Sequence, residues 1–177
     1  MSTAADPVIM AMERNWDMID GALMGLDEGM MARQPTDQCN SISWLLWHLT
    51  RVTDAFINTR LRDLTQLWIK DGWHEKFGMP ADSENRGVGW SAAEVAAWMP
   101  PSQGAQLGYY QAVRTEAREF LANVTPQEMD REIIMPPVPE PRTVATAMGQ
   151  MVWDTVAHGG QIAYLRGFYR GMGWYPR

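Results

Sequence analysis

Apolar side chains recur at three- and four-residue steps in four separate stretches of the chain, which is the spacing of helices that bury one face. These stretches cover residues 7–31, 41–70, 102–123 and 144–170. Asp6-Pro7 begins the first stretch with a capping side chain followed by a proline that suits a first turn. Thr143 supplies the corresponding cap for the fourth. The pattern predicts four long amphipathic helices.

Two connecting regions lack this periodicity. Residues 71–102 are rich in Gly, Pro, Asp, Ser and Asn, although Ser91 and Glu94 have the spacing of a capping box for a short helix over residues 91–98. Long connections of this kind often form lids or binding loops. The proline-rich residues 133–141 are expected to be extended. We therefore predict an all-α, up-down-type four-helix bundle, a single domain over residues 1–177, with a long loop between helices 2 and 3.

Composition narrows the classes of function. The chain of 177 residues has a net charge of −6 and no cluster of Lys and Arg, which disfavours binding to nucleic acid. No signal peptide and no run of 18 apolar residues is evident, so we expect a cytoplasmic protein with no membrane partner. Cys39 is the single cysteine, which fits a reducing compartment, and nothing near it in sequence marks it as a nucleophile.

The candidate chemistry lies on the second and fourth helices. Asp154 and His158 are four residues apart, so on a helix their side chains lie one turn apart on one face. That face of the fourth helix also carries apolar residues, so it is expected to point toward the core. His48 lies on the apolar face of the second helix. Two imidazoles and a carboxylate are a tridentate ligand set for zinc or non-haem iron. The alternative is a hydrogen-bonded Asp–His pair in the core. The third histidine, His74, lies in the long connection.

Three segments resemble signatures of a known family. They are residues 40–52 (NSISWLLWHLTRV), 73–80 (WHEKFGMP) and 157–167 (AHGGQIAYLRG). In this order, and over nearly the whole chain, they resemble the DinB-like superfamily of metal-binding helical bundles. The resemblance implies a divalent metal held by three side chains, which in this chain are His48, Asp154 and His158.

The implied ligand set departs from the commonest pattern, because Asp154 stands where most members have a third histidine. The mycothiol-dependent maleylpyruvate isomerase branch is similar in having a carboxylate there together with zinc. Zinc is therefore the expected ion, with nickel, iron and manganese as alternatives. Replacing a neutral imidazole by a carboxylate makes the site one unit more negative, which makes a bound thiol or water less acidic.

The resemblance also implies a small-molecule reaction. Superfamily members use mycothiol, bacillithiol or glutathione as a nucleophile activated at the metal, so we expect a thiol-dependent transferase or isomerase acting on a small electrophile. The alternatives are a metal-dependent hydrolase and a non-catalytic structural or sensor bundle. Gln161 and Arg51 are candidates for contacts around the ligands. Arg51 and Arg166 are also candidates for contact with a carboxylate of a substrate or cofactor, with a surface or interhelix ion pair as the alternative. A homodimer is common in the superfamily.

Overall fold

Nine α-helices, one π-helical segment and one two-stranded sheet make up residues 4–175, the part of the chain that the computed structural model describes. In chain order they are α1 (Asp6–Leu23), α2 (Glu28–Ala32), α3 (Ile42–Asp54), the π-helical segment Ala55–Arg60, α4 (Leu67–Lys70), α5 (Trp73–Lys76), α6 (Ala92–Ala97), α7 (Gln103–Ala122), α8 (Pro126–Asp130), β1 (Glu132–Met135), β2 (Val138–Thr143) and α9 (Val144–Arg170). The chain is mostly helical, as expected.

The first predicted helix, residues 7–31, is two helices in the structure. α1 ends at Leu23, and Gly25 follows with a φ of 72°, a left-handed conformation that glycine adopts without strain. The Asp27 side chain then accepts a hydrogen bond from the backbone N–H of Met30 at 2.8 Å and so begins α2. The apolar spacing continued across this break, which is why periodicity alone merged the two helices.

The second predicted helix, residues 41–70, also ends early. Ser41 caps its start by accepting a hydrogen bond from the N–H of Trp44 at 3.1 Å. The π-helical segment closes at Arg60, and a separate helix, α4, begins at Leu67. The buried carboxylate of Asp54 accepts hydrogen bonds from the N–H groups of Leu67 (3.0 Å) and Trp68 (2.9 Å). Asp54 thus caps α4 from the preceding helix, a contact that local sequence does not reveal.

The third and fourth predicted helices are confirmed. α7 and α9 match the predicted residues 102–123 and 144–170 within a residue at each end. Ser102 and Thr143 cap them by accepting hydrogen bonds from the N–H groups three residues later. Ser91 and Glu94 form the expected capping box, at the start of α6.

The proline-rich stretch between α8 and α9 forms the sheet. β1 and β2 pair antiparallel, with Glu132 opposite Thr143 and Ile133 opposite Arg142. The expectation of an all-α fold is therefore corrected in this one place, because an extended pair of strands satisfies its backbone groups by pairing. Arg131 fastens the start of the hairpin by donating a hydrogen bond to the Leu61 carbonyl at 2.6 Å.

The four longest helices pack around one core: α9 contacts α1 and α3, and α7 also contacts α1 and α3. α3 and α7 run in the same direction, because Tyr109 contacts Asp54 and Glu116 pairs further along with Arg62. The alternating up-down order expected from the sequence is not what these contacts show. Parallel neighbours need a connection that returns along the bundle, and the long stretch between α3 and α7 supplies it.

Large aromatic and thioether side chains fill much of this core, in line with the nine Trp and 14 Met of the sequence. Trp47 and Trp68 are among the largest fully buried side chains, and Met12, Met148 and Met151 are also fully buried. Within the described part of the chain, no helix is long and apolar enough to cross a membrane.

The contact between α1 and α9 yields a stability prediction. A Cβ at Gly159 would lie 2.1 Å from the Asn15 Oδ1 atom, whereas a Cβ at the exposed Gly149 on the same helix would meet nothing within 4 Å. Gly159→Ala should lower the free energy of unfolding by about 1–3 kcal/mol, because overpacking displaces neighbours. Gly149→Ala should raise it by about 0.5–1 kcal/mol through helix propensity. Urea denaturation measures both, and equal effects would contradict the close contact.

Candidate metal centre

His48 is held in one orientation on α3. Its side chain is buried, and its ring stacks on Trp44 with 4.8 Å between ring centroids and 5° between planes. Nδ1 contacts the backbone carbonyl oxygen of Arg86. Because a carbonyl oxygen can only accept, Nδ1 carries the hydrogen, and in the neutral ring Nε2 carries the lone pair.

His158 is oriented in a similar way on α9. Its Nδ1 lies 3.0 Å from the Gln161 Oε1, an amide oxygen that accepts a hydrogen bond from Nδ1–H. Nε2 of His158 is thereby left as a lone pair that faces Asp154, one helical turn earlier. About a fifth of each side chain in this pair remains exposed, 20% for His158 and 21% for Asp154.

The carboxylate of Asp154 lies between the two imidazoles. Its Oδ1 is 3.6 Å from Nε2 of His158, and its Oδ2 is 3.9 Å from Nε2 of His48. Both separations are too long for a direct hydrogen bond. Oδ2 is buried and has no hydrogen-bond partner. When both imidazoles are neutral, three electron-pair donors therefore face one another, at separations longer than those of the expected alternative, a hydrogen-bonded Asp–His pair in the core.

A divalent cation fits this donor set. One ligand atom from each of His48, Asp154 and His158 lies within 4.8 Å of the others. Donor atoms around one tetrahedral zinc ion are roughly 3.4 Å apart, given bond lengths of about 2.1 Å. The 3.6 Å and 3.9 Å separations are close to that spacing. Two nitrogen ligands and one oxygen ligand also leave coordination positions open for a small molecule.

Protonation equilibria show the same demand for positive charge. Burial opposes ionisation of Asp154, but the interactions with His158 and His48 outweigh it and hold the pKa of Asp154 well below its usual range. Burial likewise opposes protonation of His158, yet Asp154 and then Gln161 raise the pKa of His158 above its ordinary value. The cluster therefore binds protons or a metal more readily than isolated side chains would.

A groove with a volume of about 630 Å³ lies beside the cluster. Three of its lining residues are close in sequence to the candidate ligands. Leu45 is one turn before His48, and Ala157 and Gln161 lie on either side of His158 in sequence. No charged side chain is among the described residues that line it: Pro35, Thr36, Cys39, Asn40, Leu45, Ala157, Gly160, Gln161, Tyr164, Leu165 and Phe168. The candidate ligands His48, Asp154 and His158 are not among these lining residues.

The other residues singled out by sequence take different places. Arg51 is fully buried and contacts none of the three candidate ligands. Arg166 has two buried guanidinium nitrogens without a hydrogen-bond partner and does not line the groove. His74 lies against Trp68, outside both the cluster and the groove. Gln161 alone touches a candidate ligand and also lines the groove.

Two features of the site were missed from sequence. The Arg86 carbonyl that orients His48 is a backbone group, so no residue type signals it. Cys39 was set aside, but its exposed thiol lines the groove and accepts a hydrogen bond from the Thr36 hydroxyl at 3.2 Å. The stacking of Trp44 on His48 could have been found, because residues four apart share a helix face.

The pKa shifts predict a pH-dependent effect of Asp154→Asn with metal removed by chelator. The depressed pKa of Asp154 contributes stability above its ordinary value of 3.8, and the raised pKa of His158 contributes stability below its ordinary value of 6.5. Asp154→Asn should therefore destabilise most between these values, and the loss should shrink as pH rises through the folded-state pKa of His158.

Urea unfolding of both proteins at about pH 5 and about pH 9 measures this difference. Asp130→Asn, at an exposed carboxylate on α8, is the control and should show no such pH dependence. An effect of Asp154→Asn that is equal at both pH values would show that the imidazoles do not set the charge of the cluster.

Comparison with known proteins identifies the family and the fold. The profile of the DinB superfamily matches residues 11–162. A crystal structure of a conserved protein from Enterococcus faecalis has a similar fold, with a TM-score of 0.85 and 21% identity over 97% of this chain and 100% of that one. No curated protein matches the sequence. Because the family profile covers most of the chain, this protein belongs to the DinB superfamily.

Proposed function

We propose that the protein is a metal-dependent enzyme that activates a small thiol, or water, against a small electrophilic substrate. One observation carries the proposal: the Asp154 carboxylate faces Nε2 of His48 and of His158 at 3.9 Å and 3.6 Å, and its buried Oδ2 lacks a hydrogen-bond partner. Such an arrangement is costly unless a cation is bound. Membership of a superfamily of metal-binding proteins supports the same conclusion.

Three side chains would hold the ion: His48, Asp154 and His158. The Arg86 carbonyl and Gln161 keep the two imidazoles in the tautomer that presents Nε2. A divalent cation held there would supply positive charge that lowers the pKa of a thiol or a water molecule. Zinc is the proposed ion because it accepts this mixed nitrogen and oxygen set, with nickel, iron or manganese as alternatives.

The groove beside the cluster is the proposed substrate site. Aromatic and aliphatic side chains, including Tyr164, Phe168 and Leu45, form much of its wall, and its polar members are uncharged. A lining without charge offers no counter-charge to the carboxylates of glutathione or bacillithiol. It suits a neutral thiol such as mycothiol and an electrophile that is largely apolar.

Several finer statements belong with this proposal. We propose that α1, α3, α7 and α9 together form a four-helix bundle and that residues 1–177 are a single domain. A cytoplasmic location and a homodimer remain predictions from sequence and from family resemblance. The net charge of −6 supports small-molecule chemistry rather than nucleic-acid binding.

Metal content tests the site. We expect one zinc ion per chain by elemental analysis and a dissociation constant that rises more than about 100-fold in His48→Ala and in His158→Ala, since each loses a ligand. His74→Ala is the matched control and should bind zinc as the unmodified protein does, because His74 lies outside the cluster. Stoichiometric, tight zinc in both ligand variants would remove the proposed centre.

Activity assays separate the alternatives. With zinc bound, consumption of mycothiol in the presence of a neutral aryl or acyl electrophile should exceed consumption of glutathione or bacillithiol. Hydrolysis of the electrophile without any thiol would favour the hydrolase. If neither activity occurs but chelation lowers the thermal midpoint, the ion is structural.

Gly160→Leu places the substrate within the groove. Gly160 lines the groove, and a Cβ there meets nothing within 4 Å, so a leucine side chain fits without displacing a neighbour and narrows the groove. We expect an increase in KM for the electrophile with an unchanged zinc affinity. Gly149→Leu, at an exposed position of the same helix that does not line the groove, is the control. An unchanged KM in Gly160→Leu would exclude the groove as the substrate site.

A further inference from the structure

A segment without helix or strand, residues 82–87, is fastened to α3 by the Arg51 side chain in addition to its contact with His48. Nη2 of Arg51 donates hydrogen bonds to the carbonyl oxygens of Asp82 at 2.9 Å and Ser83 at 3.3 Å, and Nε donates to that of Asn85 at 3.2 Å. Three carbonyls within four residues therefore point at a single guanidinium group. Arg51 sets the position of the segment.

Arg51 is itself held rigidly. Its Nη1 donates to Gln66 Oε1 at 2.6 Å and to the Tyr109 hydroxyl at 3.4 Å, so all five of its N–H donors have an acceptor. The guanidinium is fully buried, lies 3.9 Å from an Asp54 carboxylate oxygen and packs over the ring of Trp68 at 4.5 Å. A lysine has three donors and no planar fork, so it cannot reproduce this set of contacts.

The segment ends against His48. The Arg86 carbonyl, between two fixed neighbours, contacts His48 Nδ1. On one side of it the Asn85 carbonyl is held by Arg51. On the other side Gly87 has a φ of 80°, and a Cβ there would lie 2.7 Å from the Trp44 ring that stacks on His48. The segment thus has little freedom to withdraw its carbonyl from the imidazole.

We propose that Arg51 is a positioning residue for the metal centre. By holding the 82–87 segment, it keeps the Arg86 carbonyl on Nδ1 of His48 and so keeps Nε2 as the lone pair directed at Asp154. This role depends on the proposed function in one respect, which is the identity of the group that Nε2 binds. The tautomer of His48 is a property of the chain that can be measured whether or not a metal binds.

The first test uses Arg51→Lys. We expect the ¹⁵N NMR spectrum of the metal-free protein to show His48 as a single Nδ1–H tautomer, and to show a mixture of tautomers in the variant. The zinc dissociation constant should rise about 10- to 100-fold, the usual effect of losing support around a histidine ligand. Arg114→Lys is the control, because Arg114 is a second nearly buried arginine that pairs with Asp20 at 2.5 Å, away from the cluster.

A second perturbation reaches the segment without touching Arg51. Gly87→Ala should displace the segment from the rings of Trp44 and Trp47, which a Cβ would approach to 2.7 Å and 2.8 Å. Gly89→Ala is matched to it, because Gly89 has nearly the same φ, 79°, but a Cβ there meets nothing within 4 Å. Of these two variants, only Gly87→Ala should mix the His48 tautomers and weaken zinc binding. If Arg51→Lys does not fold, Gly87→Ala alone tests the positioning role of the segment.

The outcomes distinguish this proposal from the one on which it rests. If the unmodified protein binds no zinc but Arg51→Lys and Gly87→Ala still mix the tautomers, the proposed function fails and the positioning role stands. If both variants fold and keep the single tautomer and the zinc affinity of the unmodified protein, the positioning role is wrong. Weaker zinc binding in Arg114→Lys as well would mean that general loss of stability, not position, causes the effect.

Discussion

The interaction on which this molecule depends is the meeting of three electron-pair donors inside a helical core. Asp154 stands between Nε2 of His48 and Nε2 of His158, and neither imidazole is close enough for a direct hydrogen bond. An unpaired charge removed from water costs several kcal/mol even after relaxation. Each ring has its other nitrogen committed to a carbonyl or amide oxygen, so it cannot turn over to relieve the contact. A proton on an imidazole or a bound cation would supply the missing positive charge, and the superfamily to which the chain belongs is one that binds metals.

The topology of the chain explains why a loop participates in this site. α3 and α7 run in the same direction, so the connection between them must return along the bundle to the end where α3 began. On that return it passes the turn of α3 that carries His48, where residues 82–87 lie between Arg51 and Trp44. If α3 and α7 were antiparallel, the connection between them could be short, and it would supply no backbone carbonyl beside His48. The crossover and the orientation of His48 are therefore linked.

Sequence was informative where the determinants are local. Amphipathic spacing and capping residues located α7 and α9 within a residue, and helix periodicity placed Asp154 and His158 on one face. The relative direction of the helices could not be predicted from periodicity. A stripe of apolar residues indicates which face of a helix is buried, but it does not indicate whether the neighbouring helix is parallel or antiparallel. The long connection between the second and third helices is predicted from sequence, and the parallel direction of α3 and α7 agrees with a crossover there.

The features that the sequence did not predict share a cause: each depends on a hydrogen bond between a side chain and a backbone group distant in sequence. The end of the predicted second helix is a separate helix, α4, which Asp54 caps from 13 residues earlier, and His48 is oriented by a carbonyl 38 residues away. Residue type does not mark either contact. Arg51 was recognised as belonging near the site, but a role toward a substrate carboxylate does not suit a buried guanidinium whose five N–H groups are engaged.

The charge of the ligand set and the character of the groove agree with each other. A divalent cation bound with Asp154 would carry one net positive charge, so one further anion would make the centre neutral, whereas a centre of three neutral histidines would stay positive. The groove beside it has no charged lining residue, and α9 presents Gln161 to both the groove and His158. In surroundings of low polarity a neutral assembly is less costly than a charged one. The aspartate that departs from the common pattern therefore supports the proposed reaction, between one anionic nucleophile and an uncharged partner.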